Sequence, residues 1–284
     1  MDLSTALTIL GGAIGSKELL AKLLGPTSEY LGDELKTSTQ KRLKNLNRVF
    51  EKFQKSLGTK IEDSAAVPPR VLKGILNEGF FCDDELMADY FGGVLASSRT
   101  GTSRDDRGVS FIALISRLTT YQIRSHFVFY QTFKTFFNNR TDCYLTQSSI
   151  RSTLGLYIPF ESFKQSLDLV DGEDFHQLLP HIMFGLGREE LFERFRYGTN
   201  EETKRLGGEG IIFHPSVLGT ELFLWAHGKG DLSVNKFLDA ETEIPNDTGI
   251  EIPNDVKSIA AEEEKKRAEE KKAADIARRL KPEF

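Results

Sequence analysis

The sequence predicts a mainly α-helical protein: an N-terminal helical bundle, a small winged-helix-like α+β unit, and a charged C-terminal helix. Three features carry that prediction. Leu35, Thr39, Leu43, Leu46, Phe50, Phe53 and Leu57 recur at steps of four and three, the spacing of one helical face. Seven aromatic residues crowd the stretch from Tyr121 to Phe137. Gly210-Ile211-Ile212-Phe213-His214-Pro215 is a short β-forming run set between helical patterns. At 284 residues the chain has room for two domains or one large one, and it can build a core without disulfides or metal.

Residues 3–24 read as a helix of apolar and small residues, which Gly25-Pro26 interrupts. A second helix runs from Thr27 or Ser28 to Leu57, and Gly58 ends it. Pro69 suits the first turn of a short helix over 70–77. Asp83-Asp84-Glu85 makes an acidic start to the next helix, where carboxylates cap free N–H groups and meet the positive end of the dipole. Leu86, Tyr90, Val94 and Leu95 form its apolar face. A long aromatic helix is expected over 109–138, then irregular chain over 141–166. Helices over 173–186 and 188–197 follow, the second with Leu191, Phe192 and Phe195 inward. A glycine-containing turn over 198–210, the strand at 210–215 and a helix opened by Ser216 complete the winged-helix-like order. The expected domains are therefore 1–140, helical; 141–238, the α+β unit; 239–259, a linker holding Glu-Ile-Pro-Asn-Asp twice; and 260–284, a charged helix that would be marginal alone.

Charge is segregated. Lys36 to Lys60 holds eight basic residues and one acid, while Asp239 to Glu264 holds nine acids and one base. Such blocks face different partners or fold against one another. On the basic helix, Lys41, Arg42, Lys44, Arg48 and Lys52 are the candidate contacts for an anion, a lipid surface or nucleic acid. The plainer alternative is a solvated face, or one paired with the acidic block.

Motifs for catalysis are missing. No GxSxG, GxxxxGK[ST] or GxGxxG occurs, and Gly11-Gly12-Ala13-Ile14-Gly15-Ser16-Lys17 lacks phosphate-loop spacing. Cys82 and Cys143 cannot form a zinc site alone, and the five histidines are scattered. Within Asp83, Asp84, Glu85 and Asp89, only Glu85 and Asp89 share a helical face. No cofactor and no metal are expected. Arg188, Arg194 and Arg196 would fall on or near a recognition helix, but Glu189, Glu190 and Glu193 share it and would repel phosphate, which favours a protein contact there. The uncharged run Leu3 to Ser16 is 14 residues, short of the about 20 that span a bilayer. With no basic stretch before it, the expectation is an intracellular chain without a membrane span.

Five segments stand in a telling order: Leu23 to Leu35, Arg42-Leu43-Lys44-Asn45-Leu46, Val67-Pro68-Pro69-Arg70-Val71-Leu72, Asp83-Asp84-Glu85-Leu86, and Val94-Leu95-Ala96-Ser97-Ser98. Together they resemble the abortive-infection alpha (Abi-alpha) family of bacterial proteins, over about residues 20–230. The family's closing Leu-Thr-Pro-x-Gly type of turn is matched only loosely, by His214-Pro215-Ser216-Val217-Leu218-Gly219. The resemblance implies a cytoplasmic phage-defence protein that halts the host or phage development, and it carries no catalytic residue over to this chain. The expectation is a non-enzymatic antiphage protein acting by binding, through membrane association of residues 1–60 or sensing of a phage protein. A nucleic-acid-binding regulator using the winged-helix-like unit and the basic helix 36–60 is the alternative. Expected partners are a protein or a second copy of the chain, with an anionic membrane surface or nucleic acid as further candidates and no evident small-molecule substrate. The expected location is the cytoplasm, with a peripheral place at the inner membrane as its variant.

Overall fold

The computed structural model describes residues 40–279, apart from 59, 61–64, 102–103 and 141–142. The expected helix at 3–24, Lys36 and the start of the second helix lie outside the described residues. The described chain is mainly helical, as expected, with eleven helices and one four-stranded antiparallel sheet. Among the described residues no helix is long and apolar enough to cross a membrane.

Helix α1 (Gln40–Leu57) buries Leu43, Leu46, Phe50, Phe53 and Leu57, the stripe read from the sequence, together with Val49. Helix α2 (Pro69–Gly79) starts on its proline. Helix α3 (Glu85–Ser97) is capped by Asp84, whose carboxylate accepts from the Met87 N–H at 2.8 Å.

The long helix expected over 109–138 is two, α4 (Gly108–Ile115) and α5 (Thr120–Phe136). The Ser116 hydroxyl donates to the Ile112 carbonyl at 2.8 Å as α4 ends. Thr119 then opens α5 with a reciprocal box: its Oγ1 accepts from the Gln122 N–H, and Gln122 Oε1 accepts from the Thr119 N–H. Thr-x-x-Gln is a helix-start signature, and it overrides the apolar pattern that runs through it.

The stretch expected to be irregular holds α6 (Ser148–Arg151), β1 (Leu156–Pro159) and α7 (Phe160–Leu167). Next come α8 (Phe175–Arg188), β2 (Phe192–Gly198), α9 (Glu201–Leu206), β3 (Gly210–Pro215) and α10 (Val217–Ala226). The second short helix expected at 188–197 is thus corrected to strand β2. Glu190 adopts the left-handed φ of 57°, which stops α8. Antiparallel pairing with β3 then sets Arg194 opposite His214, Phe195 opposite Phe213, and Arg196 opposite Ile212. The period is two: aromatic residues turn to one face and arginines to the other.

Strand β4 (Lys257–Ser258) pairs with β1, giving the order β2-β3-β1-β4, and leads into α11 (Ile259–Arg279). The inner sheet face, with Leu156, Ile158, Ile211 and Phe213, joins the main core. There the Phe129 ring of α5 lies 4.8 Å from Phe213 and 4.9 Å from Phe163. The outer face places Tyr157 and Ile212 in a small second cluster with Leu206 and Ile259. Residues 239–256 have no helix or strand, yet Ile244 and Ile250 are buried and the Asp239 carbonyl accepts from Lys134 Nζ at 2.9 Å. The expected linker is laid along α5.

Two adjacent glycines inside α3 explain how tightly the helices meet. A Cβ at Gly92 would stand 2.7 Å from the Phe53 backbone nitrogen of α1, and one at Gly93 would stand 1.8 Å from the Ala226 carbonyl of α10. Each glycine admits a different neighbour.

Candidate functional site

Lys41 lies on α1, but its side chain is outside the described residues. Arg42 and Lys44 are exposed, and the Arg42 guanidinium sits 4.8 Å from the centroid of the Phe81 ring. Arg48 and Lys52 turn instead toward α3. Arg48 Nε lies 2.5 Å from Glu85 Oε1, while Lys52 Nζ lies 2.9 Å from Asp89 Oδ2 and 3.5 Å from Glu85 Oε2. The two acids that share a face of α3 thus bind the basic helix. Burial alone would lower the Lys52 pKa, but the hydrogen bonds and charges of Asp89 and Glu85 outweigh it and raise it.

One turn on, Lys55 pairs with Asp247 in the first Glu-Ile-Pro-Asn-Asp copy. The basic and acidic blocks do fold against one another at this point. A cavity of about 280 Å³ opens between α1, α3, the end of α10 and residues 243–248. Lys55, Asp89, Tyr90, His227, Lys229 and Asp247 contribute to its wall. The Lys55 hydrogen bond holds the Asp247 carboxyl below its ordinary range, and burial raises that of Asp89.

His227 is placed by the end of α10. Its Nδ1 meets the Phe223 carbonyl at 2.7 Å; a carbonyl can only accept, so Nδ1 carries the proton and Nε2 the lone pair. Burial brings its pKa down to about 4, leaving the ring neutral at neutral pH. Behind it, His126 Nε2 donates to the Gly219 carbonyl at 3.1 Å, so its Nδ1 accepts from the Tyr90 hydroxyl at 2.7 Å. Burial drives His126 to about 3 and pushes the Tyr90 phenol well up. This chain of hydrogen bonds ties α3, α5 and α10 together and fixes the cavity's rear wall.

The site therefore offers three carboxylates (Asp89, Glu243 and Asp247), two ammonium groups and a neutral imidazole, suited to a charged polar partner. Cys82 lies outside it, and burial raises that thiol to about 12, which suppresses thiolate chemistry. Among the described residues no group of three or more His, Cys, Asp and Glu side chains is placed to hold a metal ion. Of the arginines expected on a recognition helix, Arg188 pairs with Glu189, Arg194 donates to the Ser152 carbonyl at 3.2 Å, and Arg196 donates to Glu202 at 3.0 Å.

Sequence reasoning missed Asp247, His227 and Lys229 as site residues. The complementary charge blocks were the one available signal, and they pointed to the pairing without choosing Lys55 and Asp247. Compared with protein-family models, curated proteins and solved structures, this chain matches none.

Proposed function

We propose that this is an antiphage protein of the abortive-infection type, that it acts by binding rather than catalysis, and that the cavity beside α1 and α3 is its binding site. One observation supports the reading. The basic helix, the helix opened by Asp83-Asp84-Glu85-Leu86 and the first Glu-Ile-Pro-Asn-Asp copy are far apart in sequence and meet at one polar cavity. The motifs behind the Abi-alpha resemblance lie in the same unit, at the start of α2 and along α3.

Lys55 and Asp247 in the wall already pair with each other, so a partner that takes either one enters by exchange. Lys55 and Asp247 are both about half exposed, and an exposed ion pair is worth about 0–1 kcal/mol. A charged segment of a protein, from a phage protein or a second copy of this chain, replaces that pair at little cost. On the described part of the basic helix, Arg48 and Lys52 are held by Glu85 and Asp89, so a peripheral membrane contact would draw on the exposed Lys44.

The test is phage challenge of bacteria producing the chain or the triple variant Asp247→Asn, His227→Ala, Lys229→Glu. Loss of protection by a variant that folds normally supports the cavity as the binding site. Full protection by that variant removes the cavity from the reading.

A further inference from the structure

A second cavity, of about 300 Å³, lies on the outer face of the sheet where α11 leaves β2 uncovered. Arg194, Arg196 and His214 line it, with Glu202 and Glu263 as its two carboxylates. It shares Phe195 and Arg196 with an open groove that continues past Phe184, Tyr197 and Arg205. None of these residues lines the cavity beside α1 and α3.

Three observations point to a ligand. His214 is only 5% exposed, yet its Nδ1 has no hydrogen-bond partner. Burial and the nearby Arg194 charge bring its pKa to about 4, so a neutral ring faces whatever binds. Arg194 and Arg196 are exposed neighbours on one face of β2, and each guanidinium carries five N–H donors in a planar fork. Phe184 is 62% exposed and stands edge-on to Phe195 at 5.6 Å and to Tyr197 at 6.2 Å; these rings lie on the face of β2 opposite the arginines, and the groove joins the two faces around this edge strand. Of the nearby acids, Glu193 is held by Arg151 and Ser148 and Glu263 by Arg267, while Glu202 pairs with Arg196 and would give way to a bound phosphate. The 21-residue α11 begins at the same cavity, with Glu262 in its first turn and Glu263 in the cavity wall, so the cations that a phosphate would meet are those of β2.

We infer that this cavity and groove bind a nucleotide, free or within a single strand, with its phosphate at Arg194 and Arg196 and its base on Phe184. Aromatic faces accept any base, and arginines track the phosphates. His214 supplies a buried polar atom for a hydroxyl or ring nitrogen of the ligand.

The test uses the full chain and fluorescence anisotropy with a labelled ten-nucleotide single strand, with nucleoside monophosphates as competitors. Phe184→Ala and Arg194→Ala change exposed side chains, and their melting temperatures report whether the fold is kept. The expected result is binding at low salt that Phe184→Ala weakens about tenfold and Phe184→Trp restores. Arg194→Ala should lower the slope of log affinity against log salt by about one. Competition by monophosphates would assign the site to free nucleotides, and competition by strands alone would assign it to single-stranded nucleic acid. Absence of binding by strand and monophosphates at low salt overturns the inference. So does binding that both alanine variants leave unchanged.

Discussion

Replacing Gly93 with alanine should be among the most damaging single-methyl changes in this chain. The new Cβ would stand 1.8 Å from the Ala226 carbonyl oxygen and 2.2 Å from its carbon. Both are backbone atoms of α10, so no rotamer change relieves the overlap, and α3 and α10 must separate by more than 1 Å to reach ordinary contact. Overpacking of this kind costs about 1–3 kcal/mol, and a rigid neighbour places the cost at the upper end. The separation also strains two buried hydrogen bonds between the same segments, Ser97 Oγ to the Trp225 carbonyl at 2.9 Å and the Gly230 N–H to Ser97 Oγ at 3.0 Å. Each contributes about 1 kcal/mol. Alanine's better helix propensity returns about 1 kcal/mol. The net expectation is a loss of about 3–4 kcal/mol, a large share of the about 5–15 kcal/mol that holds a domain together. Urea unfolding followed by circular dichroism measures it, with Gly101→Ala as the control, since no atom lies within 4 Å of a Cβ there. Equal midpoints for Gly93→Ala and Gly101→Ala would refute the packing argument.

Tyr90→Phe leaves His126 Nδ1 buried without its donor and should cost about 1–3 kcal/mol; an unchanged melting temperature would contradict the bond. Lys55→Ala and Asp247→Ala should each shift stability by no more than about 1 kcal/mol, since the pair is exposed; a larger loss in denaturant titration would mean that the pair is structural. Acid should destabilise the fold early. His126 titrates at about 3, and His214 and His227 at about 4, when folded, against 6.5 unfolded, so the unfolded chain binds more protons once pH drops below 6.5. Their stabilisation is complete above that value and is lost as pH falls toward 4, by up to about 4 kcal/mol per pH unit for the three together; unfolding midpoints that stay flat from pH 7 to 5 would refute it.

Local chemistry was the legible part of the sequence. The α1 stripe, Pro69 at the start of α2, the Asp84 cap and the Ser216 cap each follow from residues within one turn of each other. The break at Thr119 was also local, but a continuous aromatic pattern hid the Thr-x-x-Gln box. Strand β2 could not be read the same way, because Leu191, Phe192 and Phe195 satisfy helical spacing as well as a bulged strand. Its hydrogen bonds come from β3, a dozen or more residues later, and pairing decided the state. The cavity beside α1 depended on still longer reach. Lys55 and Asp247 are both ordinary surface residues in their own segments, and only burial of Ile244 and Ile250 brings the acidic segment to the basic helix. Arg48 and Lys52 looked like free cations for the same reason: their acids sit on another helix.

The most direct measurement is phage challenge of bacteria producing the full chain, at low and at high phage dose, with culture density and phage yield followed together. Abortive infection predicts surviving cultures and reduced yield at low dose, with arrest or collapse of the culture at high dose. Unchanged phage yield at both doses, from cells that hold folded protein, would contradict it.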